Sequence, residues 1–264
     1  MTIQKKLIKV YVVGTSIGYA SWLNRTLVQT MEEADLVLFT GGEDIDPTFY
    51  KQKKGSLTSC NYIRDLHEVA EAEKAIKLGK NIFGTCRGAQ LGCVMAGGLL
   101  VQHMSHPYMH NITMYDGTVI QTNSIHHQLQ HPHNLHPLEY VVAGWAKGLS
   151  NIYLNGEDRE IILPSVAQGN ASYSKEAELV YYRKNKWLGI QGHPECLAND
   201  STMNNMLRAM VDLMIEDKLD IVLSLNIPID RYVGKPLVLL SDEIQMYENM
   251  IVKRKEYERD LLLN

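Results

Sequence analysis

Short apolar segments alternate with helical segments over the first hundred residues, and this alternation restricts the fold more than any other feature of the chain. The apolar segments are LIKVYVV (7–13), DLVLFT (35–40) and NIFGT (81–85), and each contains or meets a glycine at its end. Apolar residues at helical spacing predict helices at about 19–33 and 62–78, and another helix after residue 86. Strands that alternate with helices pair into a largely parallel sheet, so the chain predicts an α/β fold.

The pattern changes after the glycine pair at 97–98. Residues 108–192 contain short strand-like segments separated by Gly, Asn and Asp, which predict antiparallel strands appended to the same domain. Two helices follow at about 202–216 and 242–261, and Ser241 precedes the second as a candidate N-cap.

Composition argues against several classes of partner. The 264 residues carry a formal net charge of −4, so the chain has no general attraction for nucleic acid or for an anionic membrane surface. The apolar stretch near the N-terminus breaks at Gly14, too early for a signal sequence, and no run is long enough to span a membrane. Four cysteines without paired spacing are typical of a reducing compartment, so we expect a cytoplasmic protein.

A single cysteine, Cys86, stands between Gly84 and Gly88 at the predicted junction of a strand and a helix. In one interpretation it is a small buried hydrophobic residue and the glycines are ordinary turn residues. In the other, the glycines permit a strained elbow that presents the thiol at the N-terminal end of a helix, where the helix dipole favours the thiolate. The segment alone does not choose between them.

The segment WLGIQGHPEC (187–196) favours the second interpretation. An apolar strand ends at Gly192, and His193 and Glu195 follow two positions apart, so in an extended chain they project to the same side. A histidine that meets Cys86, with a carboxylate behind its imidazole, has the nucleophile–base–orienter arrangement of a catalytic triad.

These segments carry a family resemblance. GTCRGAQ together with GHPE resembles the class I glutamine amidotransferase superfamily. Four further segments are similar to its γ-glutamyl hydrolase branch, which includes γ-glutamyl-γ-aminobutyrate hydrolase: LFTGGEDIDPTFY (38–50), RDLHEVAEAEKAI (64–76), GGLLVQHM (97–104) and NSIHHQ (123–128). The resemblance spans about residues 7–215. It implies a three-layer, flavodoxin-like α/β fold with a mostly parallel central sheet and appended antiparallel strands.

The resemblance also implies roles for individual residues. Cys86 would be the nucleophile, His193 the general base and then acid, and Glu195 the residue that orients the imidazole. The reaction implied is attack on a γ-glutamyl amide and hydrolysis of a γ-glutamyl thioester, with no cofactor. The remaining implied roles are an oxyanion hole from the backbone N–H groups of Gly42 and Arg87, and substrate binding by Gln90, Ser124, His126 and His127.

The chain departs from the family pattern at both ends. Relatives place two βα units before the glycine-pair strand, but residues 7–40 have room for one, so we expect a sheet narrowed at its N-terminal edge. We divide the chain into a catalytic domain (1–216) and a C-terminal extension with a helix (217–264). That extension packs on the domain, forms a dimer contact or docks a partner, and no sequence feature chooses among these.

Eight of the ten histidines lie between residues 103 and 136, which raises the question of a metal. No cluster of cysteines or carboxylates accompanies them in the sequence, and the chemistry implied by the resemblance needs no metal, so we predict none. Arg64 and Asp65 open a predicted helix, where a structural ion pair or cap competes with a catalytic role.

Three functional hypotheses remain. The first is a free-standing hydrolase of small γ-glutamyl amides, which the RDLHE and NSIHHQ segments favour. The second is a glutaminase subunit that supplies ammonia to a separate synthetase, which the C-terminal extension favours. The third is a non-catalytic binding module, which the intact set of Cys86, His193 and Glu195 argues against. The partners expected are therefore a γ-glutamyl substrate or glutamine, with a synthetase or a second copy of the chain.

Overall fold

A sheet of ten strands organises the part of the chain that the structure describes, which comprises residues 7–168, 171–231 and 239–263 of a computed structural model. The strands are β1 (Ile8–Val13), β2 (Arg25–Leu27), β3 (Leu36–Phe39), β4 (Asn81–Thr85), β5 (Leu99–Val101), β6 (Met109–Met114), β7 (Val119–Asn123), β8 (Leu129–His131), β9 (Tyr140–Lys147), β10 (Ser165–Gln168), β11 (Ala171–Tyr182) and β12 (Trp187–Ile190). The helices are α1 (Tyr62–Lys77), α2 (Arg87–Met95), α3 (Thr202–Ile215), α4 (Leu219–Ser224) and α5 (Ser241–Leu263).

The sheet has a parallel side and an antiparallel side. Strands β2, β1, β3, β4 and β12 pair in parallel in that order. Strands β11, β9, β6 and β7 continue the sheet with antiparallel pairings, and β10 pairs with β11. Strands β5 and β8 form a separate two-stranded sheet. The predicted parallel sheet with appended antiparallel strands is confirmed.

Helices cover both faces of the parallel strands and make the fold three-layered. Leu36 and Leu38 of β3 join the core cluster that contains α3 and α4, whereas Val37 and Phe39 join the cluster that contains α1 and α2. All four residues are completely buried, because successive side chains of a central strand point into opposite helical layers.

The helix predicted at about 19–33 is wrong. The structure has a 3-10 turn at Ile17–Ala20 and the short edge strand β2 in its place. The apolar residues of this segment do not share one face: Trp22 and Leu23 are buried on one side of the sheet and Met31 on the other. A single helix cannot lie on both faces, so the chain crosses the sheet edge as β2. The narrowing predicted for this edge stays a prediction, and β2 pairs there with β1 as the outermost strand.

The C-terminal part contacts the domain through α4 and α5. Helix α4 buries Leu219, Val222 and Leu223 in the same core cluster as α3. From α5, the Tyr247 hydroxyl donates to Asp220 Oδ2 at 3.1 Å, and the Arg254 guanidinium pairs with the same carboxylate. Helix α5 therefore lies against α4, while the division of the chain at residue 216 stays a prediction.

Within the described ranges, none of the helices combines the length and apolar character that a membrane-spanning segment needs.

Candidate active site

Cys86 occupies a strained backbone position between β4 and α2. Its φ of 51° and ψ of −107° are unusual for a residue that is not glycine, and such conformations cost on the order of 1–3 kcal/mol. The surrounding hydrogen bonds enforce it: the Cys86 N–H donates to the Ile190 carbonyl at 2.7 Å, and the Cys86 carbonyl accepts from Ala89 and Gln90. The thiol thus stands at the first turn of α2, where the helix dipole favours negative charge.

Both glycines of the elbow are required by close backbone contacts. A Cβ on Gly84 would lie 2.2 Å from the Gly88 carbonyl oxygen, and a Cβ on Gly88 would lie 2.3 Å from the Phe39 carbonyl oxygen. Since these neighbours are backbone atoms, they cannot move aside as a side chain would. Helix α2 therefore begins pressed directly against β3 and β4.

His193 and Glu195 meet after β12. His193 Nδ1 lies 2.7 Å from Glu195 Oε1. The chain turns here as a 3-10 turn at Pro194–Cys196 rather than extending as predicted, because Pro194 begins the turn, yet the two side chains still reach each other. The His193 backbone is held by Asn123, whose side chain accepts from the His193 N–H at 2.7 Å and donates to its carbonyl at 2.9 Å.

Strand pairing brings this histidine to the elbow. Strands β4 and β12 are parallel neighbours with Thr85 opposite Ile190, so Cys86 and His193 both lie beyond the carboxyl ends of the strands. Burial lowers the pKa of His193, but hydrogen bonds to Cys86 and Glu195 and the charges of both groups outweigh burial and raise it from 6.5 to about 10. At neutral pH the imidazole beside the sulfur therefore carries a proton.

The glycine pair that follows β3 lies at the same edge of the sheet. A Cβ on Gly41 would lie 3.0 Å from His193 Cε1, and a Cβ on Gly42 would collide with the Arg64 guanidinium. The Gly41 carbonyl accepts from Arg64 Nη2 at 2.9 Å, which holds the turn in place. The other residue predicted for the oxyanion hole, Arg87, opens α2, where a backbone N–H has no intrahelical acceptor.

A buried ionic network ties the elbow to α1. The Arg87 side chain is completely buried and pairs with both Asp65 and Glu68. Glu68 also accepts from Arg64 Nε at 2.7 Å. Of the alternatives for Arg64 and Asp65, this geometry favours the structural ion pair. No sequence pattern singled out the Arg87 side chain or Glu68, because their ion pair depends on how α1 packs beside α2.

Two of the predicted substrate-binding residues lie close to the edge of the sheet beyond which Cys86 and His193 lie. We call this edge the catalytic edge. Gln90 follows Cys86 by one helical turn, and its Nε2 donates to the Gln128 carbonyl at 3.1 Å. His127 remains partly exposed, with Nε2 3.1 Å from a carboxylate oxygen of Asp44 in the loop after the glycine pair. The Asp44 carboxylate raises the pKa of His127 against the opposing effect of burial.

The other two, Ser124 and His126, are directed into the protein. Ser124 Oγ lies 3.4 Å from His106 Nδ1, and His126 Nδ1 donates to the Gln128 carbonyl at 2.8 Å. Both residues are buried. The segment 123–128 therefore has one side near the catalytic edge and another side in a buried histidine cluster.

Tyr19 is an unpredicted neighbour of His193 in the predicted triad. Its ring centroid lies 6.1 Å from that of His193, and a Cβ on Gly41 would lie 2.8 Å from its hydroxyl. Burial, followed by the negative charges of Glu195 and Cys86, raises the pKa of Tyr19 to about 12. No signal singled it out, because Tyr19 was placed in the helix that does not form.

Comparison with known proteins identifies the family of the chain. The sequence profile of Peptidase C26 matches residues 12–142, which include Cys86 and the segment 123–128 but end before His193. Protein NtpR of Enterococcus hirae is 31% identical over 206 residues, covering 73% of this chain and 79% of that protein. The chain belongs to the Peptidase C26 family. Membership indicates a hydrolase of the glutamine amidotransferase-like class.

Three further proteins are similar to the chain. The glutamine amidotransferase-like protein YvdE of Lactococcus lactis is 28% identical over 176 residues, and the match covers 61% of this chain and 66%, about two thirds, of that protein. A solved glutamine amidotransferase of Thermotoga maritima is 11% identical with a TM-score of 0.43, over 87% of this chain and 90% of the other. The glutaminase domain of Trypanosoma brucei CTPS with bound acivicin is 10% identical with a TM-score of 0.48, over 80% and 94%. Both structures are distant matches, and neither bears on the site.

Proposed function

We propose that this Peptidase C26 member is a cysteine-dependent amidohydrolase that cleaves the γ-glutamyl amide bond of a small γ-glutamyl amine through a γ-glutamyl thioester. The observation that carries the proposal is the strained Cys86 elbow beside the His193–Glu195 pair, with the pKa of His193 raised to about 10. A protonated imidazole next to a sulfur at a helix N-terminus is the setting that produces a nucleophilic thiolate.

In the acylation step, the Cys86 thiolate attacks the γ-carbonyl carbon and forms a carbon–sulfur bond. The backbone N–H groups of Gly42 and Arg87 stabilise the negative charge that develops on the carbonyl oxygen. His193 then gives its proton to the leaving nitrogen as the carbon–nitrogen bond breaks, and the amine departs. Glu195 keeps the imidazole oriented and stabilises its positive charge.

In the deacylation step, neutral His193 removes a proton from a water molecule, and the hydroxide attacks the thioester carbonyl. The carbon–sulfur bond breaks, which regenerates the thiolate beside protonated His193. The product carboxylic acid ionises to glutamate, and the released amine takes up a proton from solvent. Both half-reactions therefore use the same residues and the same oxyanion site.

A second candidate function rests on α5. A glutaminase subunit that supplies ammonia to a separate synthetase needs a docking surface, and α5 is a long helix outside the catalytic segments. The segments RDLHE and NSIHHQ resemble the free-standing branch, and for that reason we favour the hydrolase.

Four free cysteines support a reducing location such as the cytoplasm.

The purified chain, assayed alone against a panel of γ-glutamyl amines and glutamine, distinguishes these functions. We expect hydrolysis of a γ-glutamyl amine faster than of glutamine, and no hydrolysis by Cys86→Ala under the same conditions. Silence on every substrate, with glutaminase activity that appears only when a synthetase is added, would favour the subunit. Equal activity of Cys86→Ala and the unmodified chain would overturn both functions.

A further inference from the structure

A cluster of three histidine rings surrounds a completely buried carboxylate, Glu178. Glu178 Oε1 lies 3.4 Å from His106 Nδ1 and 3.3 Å from His110 Nε2, and Glu178 Oε2 lies 4.0 Å from His126 Nε2. Ligand atoms of His106, His126 and Glu178 all lie within 4.8 Å of one another. The cluster uses no member of the triad.

Several polar atoms of this cluster are buried without a hydrogen-bond partner among the described residues. They are both carboxylate oxygens of Glu178, Nε2 of His126 and both ring nitrogens of His110. A buried polar group left unpaired costs about 1–3 kcal/mol, and more when it is charged. The Glu178 oxygens and His126 Nε2 face each other and can share one ligand, whereas the two ring nitrogens of His110 point in different directions.

One ring nitrogen of His106 and one of His126 have hydrogen-bond partners outside the cluster. His106 Nε2 lies 2.8 Å from Glu176 Oε2, and His126 Nδ1 donates to the Gln128 carbonyl at 2.8 Å. His106 Nδ1 and His126 Nε2 then face Glu178, and His106 Nδ1 also lies 3.4 Å from Ser124 Oγ. Metal-binding histidines have this arrangement, because the second nitrogen donates to a carboxylate or a carbonyl that fixes the ring and its tautomer.

We propose that His106, His126 and Glu178 bind a divalent transition-metal ion, with Zn²⁺ as the ion that fits best. Two imidazole nitrogens and one carboxylate oxygen form a ligand set that zinc accepts, with a water molecule in the fourth position. Tetrahedral zinc with bonds of about 2.0–2.1 Å separates its ligand atoms by about 3.4 Å. Glu178 oxygens lie 3.4 Å from His106 Nδ1 and 4.0 Å from His126 Nε2, and His110 lies beside the group at 3.3 Å from Glu178 Oε1.

Charge balance supports the same assignment. Glu176 and Glu178 are both fully buried, and both face histidine rings. A divalent cation would offset the charge of Glu178, whereas Glu176 already accepts from the Leu149 and Ser150 N–H groups and from the Tyr153 hydroxyl. The competing arrangement, without a metal, is a direct contact between His110 Nε2 and Glu178 Oε1, which lie 3.3 Å apart.

The three ligands come from separate parts of the fold. His106 precedes β6, His126 lies between β7 and β8, and Glu178 lies on β11. Their side chains are closed off from solvent, so the ion would lie inside the protein and apart from the proposed catalytic residues.

The site connects to the catalytic edge through the segment 123–128. The Gln128 carbonyl, which accepts from His126, also accepts from Gln90 Nε2 and Gln191 Nε2, both at 3.1 Å. At the other end of the segment, Asn123 holds the His193 backbone. Metal binding therefore fixes the segment that lies between the histidine cluster and the triad.

The test is the metal content of the full chain, purified without a histidine tag and measured by plasma mass spectrometry. We expect about one zinc per chain in the wild type, and a loss of most of it in Glu178→Gln. His133→Gln is the matched control, because His133 is a half-buried histidine that lies beside Tyr140, outside the cluster, and this variant should keep its zinc.

X-ray absorption at the zinc edge of the wild-type protein does not depend on how the variants fold. We expect a nitrogen and oxygen shell at about 2.0–2.1 Å with imidazole scattering. Sulfur in the first shell would overturn the proposal and point instead to the group formed by His193, Glu195 and Cys196. A wild-type chain that neither contains zinc nor takes it up from a micromolar solution would also overturn it and favour the direct contact between His110 and Glu178.

Discussion

Four thiols share this chain, and their surroundings differ enough to predict which of them reacts. Burial raises the pKa of Cys93 to about 12. Burial and a neighbouring carboxylate, Asp46 or Glu195, raise the pKa of Cys60 and Cys196. Only thiolates react readily, so a diazo-ketone analogue of glutamine should label Cys86 first. Peptide mapping by mass spectrometry checks this, and a label on another cysteine with Cys86 unmodified contradicts it.

The proton on His193 predicts the pH dependence of turnover. Because the pKa of His193 is raised to about 10, hydrolysis should fall as the pH rises through about 10, where the imidazole loses the proton needed by the leaving amine. In Glu195→Gln the fall should begin roughly 1–3 pH units lower and leave residual turnover, whereas His193→Ala should abolish turnover. Turnover measured against pH for the folded variants tests the shift in Glu195→Gln and the loss in His193→Ala. If turnover of Glu195→Gln falls at the same pH as that of the wild type, Glu195 does not act on this proton.

The same raised pKa contributes to stability. The folded protein holds the His193 proton more tightly than the unfolded chain does. This contribution to the free energy of unfolding is therefore complete below pH 6.5 and is lost as the pH rises through about 10.

At the scale of elements, the buried network between α1 and α2 sets the position of the elbow. Glu68→Gln removes one of the carboxylates that the buried Arg87 guanidinium needs, and breaking such a pair costs about 3–5 kcal/mol. Urea unfolding should show this loss. Glu73→Gln, on the exposed face of the same helix, is the control and should stay within about 0.5 kcal/mol of the wild type. Equal midpoints for the two variants would mean that the network does not stabilise the fold.

At the scale of the whole molecule, we expect α5 to be separate from the proposed chemistry. It contacts α4 through Asp220 and Ser224. Its Tyr257 ring stacks on the His136 ring with 3.8 Å between the ring centroids. Removal of residues 240–264 should lower the melting temperature by roughly 2–4 °C for each kcal/mol lost, or change the oligomeric state. Turnover per folded molecule should stay close to that of the full chain.

Calorimetry, light scattering and the hydrolysis assay together check the role of α5. Arg254→Ala should reproduce part of the destabilisation, because Arg254 pairs with Asp220. Arg259→Ala, at a well-exposed position on the same helix, should not. A truncated chain that is folded but inactive would contradict the separation of α5 from the site.

The sequence by itself determined the features whose physics is local. Residues 7–13, 35–40 and 81–85 are apolar, β-branched or aromatic segments that end at glycine, and each forms a strand of the parallel sheet. The glycines around Cys86 permitted an elbow, because backbone that approaches so closely excludes a Cβ, and the segment 187–196 favoured it. His193 and Glu195 also meet, although through the turn that Pro194 begins and not through the extended chain that their spacing predicted.

Only the tertiary structure decided which distant segments meet. The apolar residues of 19–33 had helical spacing, but the sheet edge divided them between two faces, and this placed Tyr19 beside the triad. The histidine-rich segment has no carboxylate nearby in the sequence, but Glu178 lies beside it in the structure. Strand β11 pairs with β9 and β9 pairs with β6, and this order brings Glu178 next to His110. Spacing along a sequence reports neighbours within one strand or helix. Strand order and register set contacts across tens of residues, and they follow from the packing of the whole core.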